Sequence, residues 1–258
     1  MEQLRNFLRQ LVIKVGNSTF TKYNQCGSIT IKNGNQNDIA SEVDKQANAM
    51  FIREIQKNFA AVGLITEEAK PINPDAEIKI YVDPLDGSKN FKHRSGFYAV
   101  MAAVTYNDKT VYSFIYNPIL RWLCEAETNK GAYLKGFRIK VSQKKKLEDC
   151  HILTNDSLKP NRINTLNRLH KLNPNMWVPS IGSCGISAML VAEGEFDIFV
   201  TNGNGGVWDH LPIIHMVQES GGVATRLDGR DWKFEMGVPY FLSNPNLVEP
   251  FLELMSSK

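Results

Sequence analysis

The stretch that decides the fold is Ile78-Lys79-Ile80-Tyr81-Val82-Asp83-Pro84-Leu85-Asp86-Gly87-Ser88-Lys89-Asn90-Phe91. Residues 78–82 alternate between apolar and polar side chains, which is typical of a β-strand. Asp83 and Asp86 follow directly, three residues apart. The stretch therefore predicts a strand that places two carboxylates at its carboxyl end.

The residues after the second carboxylate suit an anion. Gly87 permits a close approach of the backbone, and Ser88 is a candidate N-cap for a short helix. Hard carboxylate oxygens suit Mg²⁺, and the amides at a helix N-terminus suit a phosphate group. An isolated Asp-x-x-Asp-Gly is more often an ordinary turn, so the interpretation depends on acids elsewhere in the chain.

Two amphipathic helices are predicted before this strand. Residues 3–15 carry apolar side chains at helical spacing, and Gly16 can end that helix. Residues 41–58 repeat the pattern, with Ser41 as a candidate N-cap and Asp44 near the first turn.

The rest of the chain mixes strands and helices. Residues 97–106 and 111–116 predict a hairpin that turns near Asn107-Asp108, and short strands continue over 118–140. Further short strands are predicted at 151–154, 178–181, 196–200, 222–226 and 239–243, and helices at 160–171, 185–193 and 209–219. This is an α/β pattern. We expect an N-terminal α+β subdomain over 1–145 and a C-terminal α/β subdomain over 146–258.

Composition excludes several classes of protein. The 258 residues carry a net charge of +3 without a dense basic cluster, so nucleic acid is not expected as the main partner. The densest basic run, Lys144-Lys145-Lys146, is most simply a solvated loop. No signal peptide or membrane span is evident, which predicts a cytoplasmic protein. Cys26, Cys124, Cys150 and Cys184 are far apart, so we expect free thiols and no zinc site.

Three motifs in order resemble the inositol monophosphatase family, within the wider lithium-sensitive magnesium phosphatases. They are Thr66-Glu67-Glu68, the stretch from Asp83 to Phe91, and Trp208-Asp209 followed by Glu219-Ser220-Gly221-Gly222. The resemblance implies a layered αβαβα sandwich of the sugar phosphatase type, two or three Mg²⁺ ions, a small phosphate monoester as substrate, and a homodimer.

The resemblance also implies a ligand set. Glu67, Asp83 and the carbonyl of Leu85 bind a first metal, and Asp83, Asp86 and Asp209 bind a second. A third, weaker metal shares Glu67. Two neighbouring cations can stabilise both the attacking and the leaving oxygen of an in-line displacement by water.

Other residues receive roles from the same resemblance. Ser88 stands where the family has Thr, and its hydroxyl orients the attacking water with Asp44. The amides of Gly87 and Ser88 hold the phosphate. Glu68 is either a supporting acid or a surface charge and is left out of the ligand set. His210 and His215 are five residues apart, which does not suit a shared helical face, so we interpret both as structural.

The substrate pocket departs from the family pattern. Gly182-Ser183-Cys184 resembles the Gly-[Ser/Thr]-Ala segment that contacts substrate hydroxyls, with Cys184 replacing Ala. Inositol-specific members carry a Glu before the Trp-Asp pair, whereas residues 201–207 contain no acid, and Asn202 or Asn204 could only form neutral hydrogen bonds there. Asp209 is also expected to contact substrate.

Several functions stay open at this stage. The leading one is hydrolysis of inositol 1-phosphate or another polyol or sugar phosphate by metal-activated water, with weak inhibition by lithium at the second metal. The motif Asp-Pro-Leu-Asp-Gly-Ser also occurs in fructose-bisphosphatases, and related enzymes act on 3′-phosphoadenosine 5′-phosphate. An alternative from a different class is a regulatory protein that binds the transcription machinery or RNA, since some bacterial relatives are linked to transcription and RNA processing.

Overall fold

The structure is a computed structural model that describes residues 1–23, 29–31, 39–154 and 160–256. Cys26, predicted as a free thiol, lies outside the described residues. The helices are α1 Glu2–Tyr23, α2 Glu42–Asn58, α3 Ser88–His93, α4 Pro160–Leu172, α5 Cys184–Glu193, α6 Val207–Glu219 and α7 Val248–Ser256. The strands are β1 Ile29–Ile31, β2 Ile39–Ser41, β3 Gly63–Thr66, β4 Ile78–Asp86, β5 Ala99–Tyr106, β6 Lys109–Asn117, β7 Trp122–Glu127, β8 Gly131–Leu134, β9 Phe137–Ile139, β10 Ile152–Thr154, β11 Ile198–Thr201, β12 Val223–Arg226 and β13 Tyr240–Ser243.

Two sheets carry the architecture. A seven-stranded sheet has the order β3-β4-β5-β6-β7-β8-β9, in which only β3 and β4 pair in parallel. A four-stranded sheet has the order β10-β11-β13-β12, with β10 and β11 parallel. A two-stranded antiparallel ribbon joins β1 and β2.

The helices form three layers around these sheets. Helices α1 and α2 pack on one face of the large sheet, through a core that includes Leu8, Phe51 and Ile80. Helices α5 and α6 fill the space between the two sheets. Helices α4 and α7 cover the outer face of the small sheet, where Leu169 and Phe251 are buried. The order is αβαβα, as the resemblance predicts. The division at residue 145 stays a prediction.

Most predicted elements are present in the structure. The hairpin of β5 and β6 turns at Asn107 and Asp108, whose φ values of 49° and 60° match the left-handed pair of a type I′ turn. The strand predicted at 178–181 is wrong, because only an isolated bridge joins Thr154 to Ser180. Helix α7 was not predicted.

Two predicted helix ends are wrong for steric reasons. Helix α1 does not stop at Gly16 but continues to Tyr23. A Cβ at residue 16 would lie 2.5 Å from Tyr116 Cδ1, so Gly16 allows the helix to approach β6 closely. Helix α3 takes Gly87, not Ser88, as its N-cap, since the left-handed φ of 84° at Gly87 places Ser88 inside the first turn.

No helix among the described residues combines the length and the apolar character that crossing a bilayer requires. The three cysteines in the described ranges, Cys124, Cys150 and Cys184, are free and buried.

Candidate active site

The two carboxylates of the central motif end β4 on either side of a β-bulge. Asp83 pairs with Met101 of β5 and Asp86 pairs with Ala99, so three steps on β4 match two steps on β5. Side chains alternate along a regular strand, and residues three apart would face opposite sides of the sheet. The extra residue of the bulge changes the direction of the side chains at the end of β4. This allows the Asp83 and Asp86 side chains to face the same region.

The N-terminus of α5 holds Asp86 in place. Cys184 N donates to Asp86 Oδ1 at 3.1 Å, and Gly185 N donates to Asp86 Oδ2 at 2.8 Å. The Ser183 hydroxyl donates to the same Oδ2 atom. A Cβ at residue 185 would lie 2.9 Å from Asp86 Oδ2, so only glycine allows this approach. Sequence reasoning did not single out Gly185.

Asp209 reaches the site from the first turn of α6. Gly206 N donates to Asp209 Oδ2 at 2.7 Å, and a Cβ at Gly205 would lie 2.5 Å from that oxygen. The Cys184 thiol lies 3.4 Å from Asp86 Oδ1 and 3.9 Å from Asp209 Oδ1. The two acids from distant parts of the chain therefore meet at the start of α5.

A second group of acids contains Asp44, Glu67 and Glu68. Each offers a carboxylate oxygen, and these oxygens lie within 4.8 Å of one another. Asp44 is buried in the first turn of α2, and the two glutamates follow β3. Glu68, which was left out of the predicted ligand set, thus belongs to this group. Its position next to Glu67 in the sequence was the only available signal.

Asp83 electrostatically links the two groups. Burial raises its pKa well above the ordinary range, and the negative charges of Glu67, Asp209, Asp86 and Asp44 raise it further. Burial also raises the pKa of Asp209 strongly, with further contributions from Glu67 and Asp86. These carboxylates repel one another in a dry environment, which is the electrostatic situation that bound cations relieve.

The turn after β4 requires a glycine at residue 87, where φ is 84°. A Cβ at Gly87 would lie 2.9 Å from the carbonyl oxygen of Phe97, so the residue must be glycine. The Ser88 hydroxyl donates to the Leu85 carbonyl oxygen at 3.2 Å. Leu85 N in turn donates to Asp83 Oδ1 at 2.9 Å. The predicted catalytic hydroxyl and the predicted carbonyl ligand are therefore in direct contact.

The predicted substrate residues outside the central motif lie at the start of α5, after β11 and in the first turn of α6. Asn90 donates to the carbonyl oxygens of Phe97 and Ile181, both at 2.7 Å, which fixes Gly182 beside α3. Asn202 follows β11, is 9% exposed, and lines a small pocket that has no other predicted site residue in its lining. The other lining residues are Thr154, Arg162, Thr165, Val200, Thr201 and Leu227. Asn204 is exposed to solvent.

Both histidines of α6 are bonded to protein groups. His210 Nδ1 is 2.7 Å from the Tyr240 hydroxyl, and His215 contacts Ser113 at 2.8 Å and Thr128 at 3.0 Å. Burial lowers the pKa of each ring to about 4, which keeps both neutral. These contacts agree with the structural role predicted for them.

Comparison with known proteins decides the family. The model of the inositol monophosphatase family matches residues 1–253. The chain belongs to the inositol monophosphatase family. An inositol monophosphatase from Mesembryanthemum crystallinum is 30% identical over 232 residues, covering 86% of this chain and 85% of the relative. Nus factor SuhB of Escherichia coli K12 is 28% identical over 265 residues, covering 99% and 96%. The crystal structure of the extragenic suppressor protein suhB from Bartonella henselae matches with a TM-score of 0.90 at 29% identity over 99% of both chains.

Membership of the inositol monophosphatase family supports phosphatase activity and the use of divalent metal ions. The described side chains fit such ions, because they form two groups of possible ligands, and neighbouring carboxylates raise the pKa of Asp83 and of Asp209 beyond the effect of burial. Oxygen donors of this kind suit Mg²⁺. The family assignment leaves the substrate open.

Proposed function

We propose that this protein is a magnesium-dependent phosphomonoesterase that hydrolyses a small polyol or sugar phosphate, with inositol 1-phosphate as the leading candidate. One observation carries the proposal: Asp83, Asp86 and Asp209 are brought together from β4 and α6, and burial raises the pKa of each. A protein that kept such a cluster without cations would lose stability at neutral pH.

We assign the metal ligands as follows. Glu67, Asp83 and the carbonyl of Leu85 hold one ion, and Asp83, Asp86 and Asp209 hold another. The contacts of Asp86 with the start of α5 fix its carboxylate before any ion binds, so little ordering remains at binding. Bound Mg²⁺ would polarise the phosphate oxygens and ease the deprotonation of water.

The protein's own groups position the other reactants. The amides of Gly87 and Ser88 lie at the N-terminus of α3 and bind the phosphate oxygens. The hydroxyl of Ser88 is held against the Leu85 carbonyl at 3.2 Å, where we place it beside the attacking water. Asp44 is buried near Asp83, and its carboxylate accepts a hydrogen bond from that water. We assign the contacts with the leaving alcohol to Gly182, Asn202 and the backbone of Ser183, because the Ser183 hydroxyl is already bonded to Asp86 and to Ile186 N.

The direct test is phosphate release in the presence of Mg²⁺. We expect release from inositol 1-phosphate that stops when EDTA is added and returns with excess Mg²⁺. The same assay compares fructose 1,6-bisphosphate and 3′-phosphoadenosine 5′-phosphate, since the amide of Asn202 cannot replace an acidic contact with a ring hydroxyl. Failure to release phosphate from any member of a broad panel would remove the proposal.

Lithium inhibition and the oligomeric state are tested by measurements of their own. Lithium is expected to inhibit weakly, and unchanged activity in high Li⁺ would contradict binding at the second metal. A homodimer is expected, and a monomer mass in light scattering would contradict it. A cytoplasmic location stays a prediction.

A regulatory role is the alternative from another class, suggested by the name of the Escherichia coli relative. The basic run 144–146 gives it little support. Residues 144–146 lie in a loop in which Lys145 and Lys146 are exposed, as predicted. The Lys144 side chain is also partly exposed, but its Nζ is bonded within the protein, 2.9 Å from Asp197 Oδ2 and 2.8 Å from the Asp149 carbonyl oxygen. A pull-down that recovers neither RNA polymerase nor RNA would remove this alternative.

A further inference from the structure

Cys184 places a sulfur atom between two acids that we assign to the second metal. Its Sγ is 3.4 Å from Asp86 Oδ1 and 3.9 Å from Asp209 Oδ1. One ligand atom from each of these three residues lies within 4.8 Å of the other two. The residues come from the end of β4, the first position of α5 and the first turn of α6, so three separate elements converge on one point.

The two sulfur–oxygen distances match those of a tetrahedral metal site. Zinc binds sulfur at about 2.3 Å and carboxylate oxygen at about 2.0 to 2.2 Å. At a tetrahedral angle those bonds hold sulfur and oxygen about 3.5 to 3.7 Å apart. The observed distances of 3.4 Å and 3.9 Å bracket this range. A thiophilic ion could therefore bind with only small movements of the side chains.

We propose, on the basis of the function proposed above, that Asp86, Cys184 and Asp209 bind a thiophilic divalent cation such as Zn²⁺ or Cd²⁺. This ion competes with the second Mg²⁺ and inhibits hydrolysis. When it binds, a metal–sulfur bond replaces the S–H bond of Cys184, and the thiol proton passes to solvent. No electron is transferred.

Ligand chemistry gives the selectivity. Magnesium prefers six oxygen ligands in near-octahedral geometry and gains little from sulfur, whereas thiolate ligands favour zinc and similar ions. The alanine of the family motif that Gly182-Ser183-Cys184 resembles would offer no sulfur. Cys184 therefore adds sensitivity to thiophilic ions at a site whose other ligands are hard oxygens.

The first test needs no turnover. Metal-free protein is titrated with Cd²⁺ while the thiolate-to-metal charge-transfer absorption is followed in the ultraviolet. Wild type and the control variant Cys150→Ser, whose thiol donates to the Lys146 carbonyl oxygen away from the site, should show the band at one equivalent. Cys184→Ala should lack it. A band of equal intensity in Cys184→Ala would overturn the proposal.

The second test measures inhibition. At fixed Mg²⁺, the concentration of Zn²⁺ that halves phosphate release should rise at least tenfold in Cys184→Ala and in Cys184→Ser relative to wild type. Each variant is compared with its own rate in the absence of Zn²⁺. Equal inhibition of all three proteins would also overturn the proposal. If wild type shows the Cd²⁺ charge-transfer band but no Mg²⁺-dependent hydrolysis, only the proposed function is refuted. If it hydrolyses phosphate esters but shows no such band, only the thiophilic site is refuted.

Discussion

The Ser183 hydroxyl links the carboxylate of Asp86 to the first turn of α5. It donates to Asp86 Oδ2 and accepts from Ile186 N at 3.1 Å. The side chain is 1% exposed, so water cannot replace either bond easily. A single hydroxyl thus caps a helix and orients an assigned metal ligand.

Replacing Ser183 by Ala should affect both functions of this hydroxyl. Loss of an N-cap costs about 1 kcal/mol, and Asp86 loses one of its donors. We expect a lower midpoint in thermal unfolding and a several-fold higher Mg²⁺ concentration for half-maximal activity. The control is Ser187→Ala, which removes a buried hydroxyl bonded to the Ser183 carbonyl oxygen in the same helix. A shift in the Mg²⁺ requirement of the control as large as that of Ser183→Ala would argue against positioning.

Replacing Asp83 by Asn should separate stability from activity. A buried acid whose pKa is raised is most stabilising when protonated, and that stability is lost as the pH rises through the folded pKa. Asp83 is in this class. In EDTA at pH 7, Asp83→Asn should therefore unfold at a higher temperature than wild type, because a buried charge has been removed.

The Asp83→Asn variant should be neither stabilised nor activated by Mg²⁺. Mg²⁺ should raise the unfolding temperature of wild type but change that of Asp83→Asn little, and hydrolysis should be abolished. Differential scanning fluorimetry with and without Mg²⁺ measures the stability, and phosphate release measures the activity. A fully active Asp83→Asn protein would contradict the assignment of Asp83 as the ligand shared by both metals.

The carboxylate pair was predictable because its signals are local. A strand, two acids and a glycine within a few residues indicate a site, and the motifs at Glu67 and Asp209 supply the remaining acids. The β-bulge between Asp83 and Asp86 leaves no local signature, because it depends on pairing with Ala99 and Met101 of β5. The donors to Asp86 are 98 and 99 residues away in sequence, beyond the range of pattern reasoning.

The errors in helix ends have the same origin. Glycine favours the end of a helix, and Gly16 has this local preference, but α1 continues past it to Tyr23. Packing against Tyr116 decides this outcome. Either Gly87 or Ser88 could be the N-cap of α3. The left-handed backbone conformation of Gly87 makes Gly87 the N-cap and places Ser88 inside the helix. At Gly16, packing against another element outweighs the local preference of glycine to end a helix. At the start of α3, the backbone conformation of Gly87 outweighs the capping preference of the Ser88 side chain.

Replacing Lys144 should lower the stability of the fold, and its effect should not depend on nucleic-acid binding. Its partner Asp197 is 1% exposed, so Lys144→Ala leaves a buried carboxylate with fewer partners. Lys144 is itself partly exposed, which reduces the expected cost to about 2 kcal/mol. Urea unfolding should show this loss, whereas the matched variant Lys145→Ala, at an exposed position, should change stability by less than about 0.5 kcal/mol. Equal stability of the two variants would contradict a structural role for Lys144.

The ring of His215 should make the fold sensitive to acid. Thr128 Oγ1 donates to the Thr110 carbonyl oxygen at 2.8 Å, so it accepts from His215 Nε2, and His215 Nδ1 accepts from Ser113. This pattern requires a neutral ring. Burial lowers its pKa from 6.5 to about 4.

The sign of the pH effect follows from that shift. A histidine with a lowered folded pKa stabilises the fold fully above pH 6.5, and this contribution is lost as the pH falls toward 4. Between pH 7 and pH 5 the loss amounts to about 2 kcal/mol. His215→Gln should be less stable than wild type at pH 7 and should lose about 2 kcal/mol less over that interval. Urea unfolding at both pH values, in one buffer with equal Mg²⁺, cancels the contributions of the other titrating groups. Identical pH dependence in the two proteins would show that His215 is charged in the fold or does not titrate on unfolding.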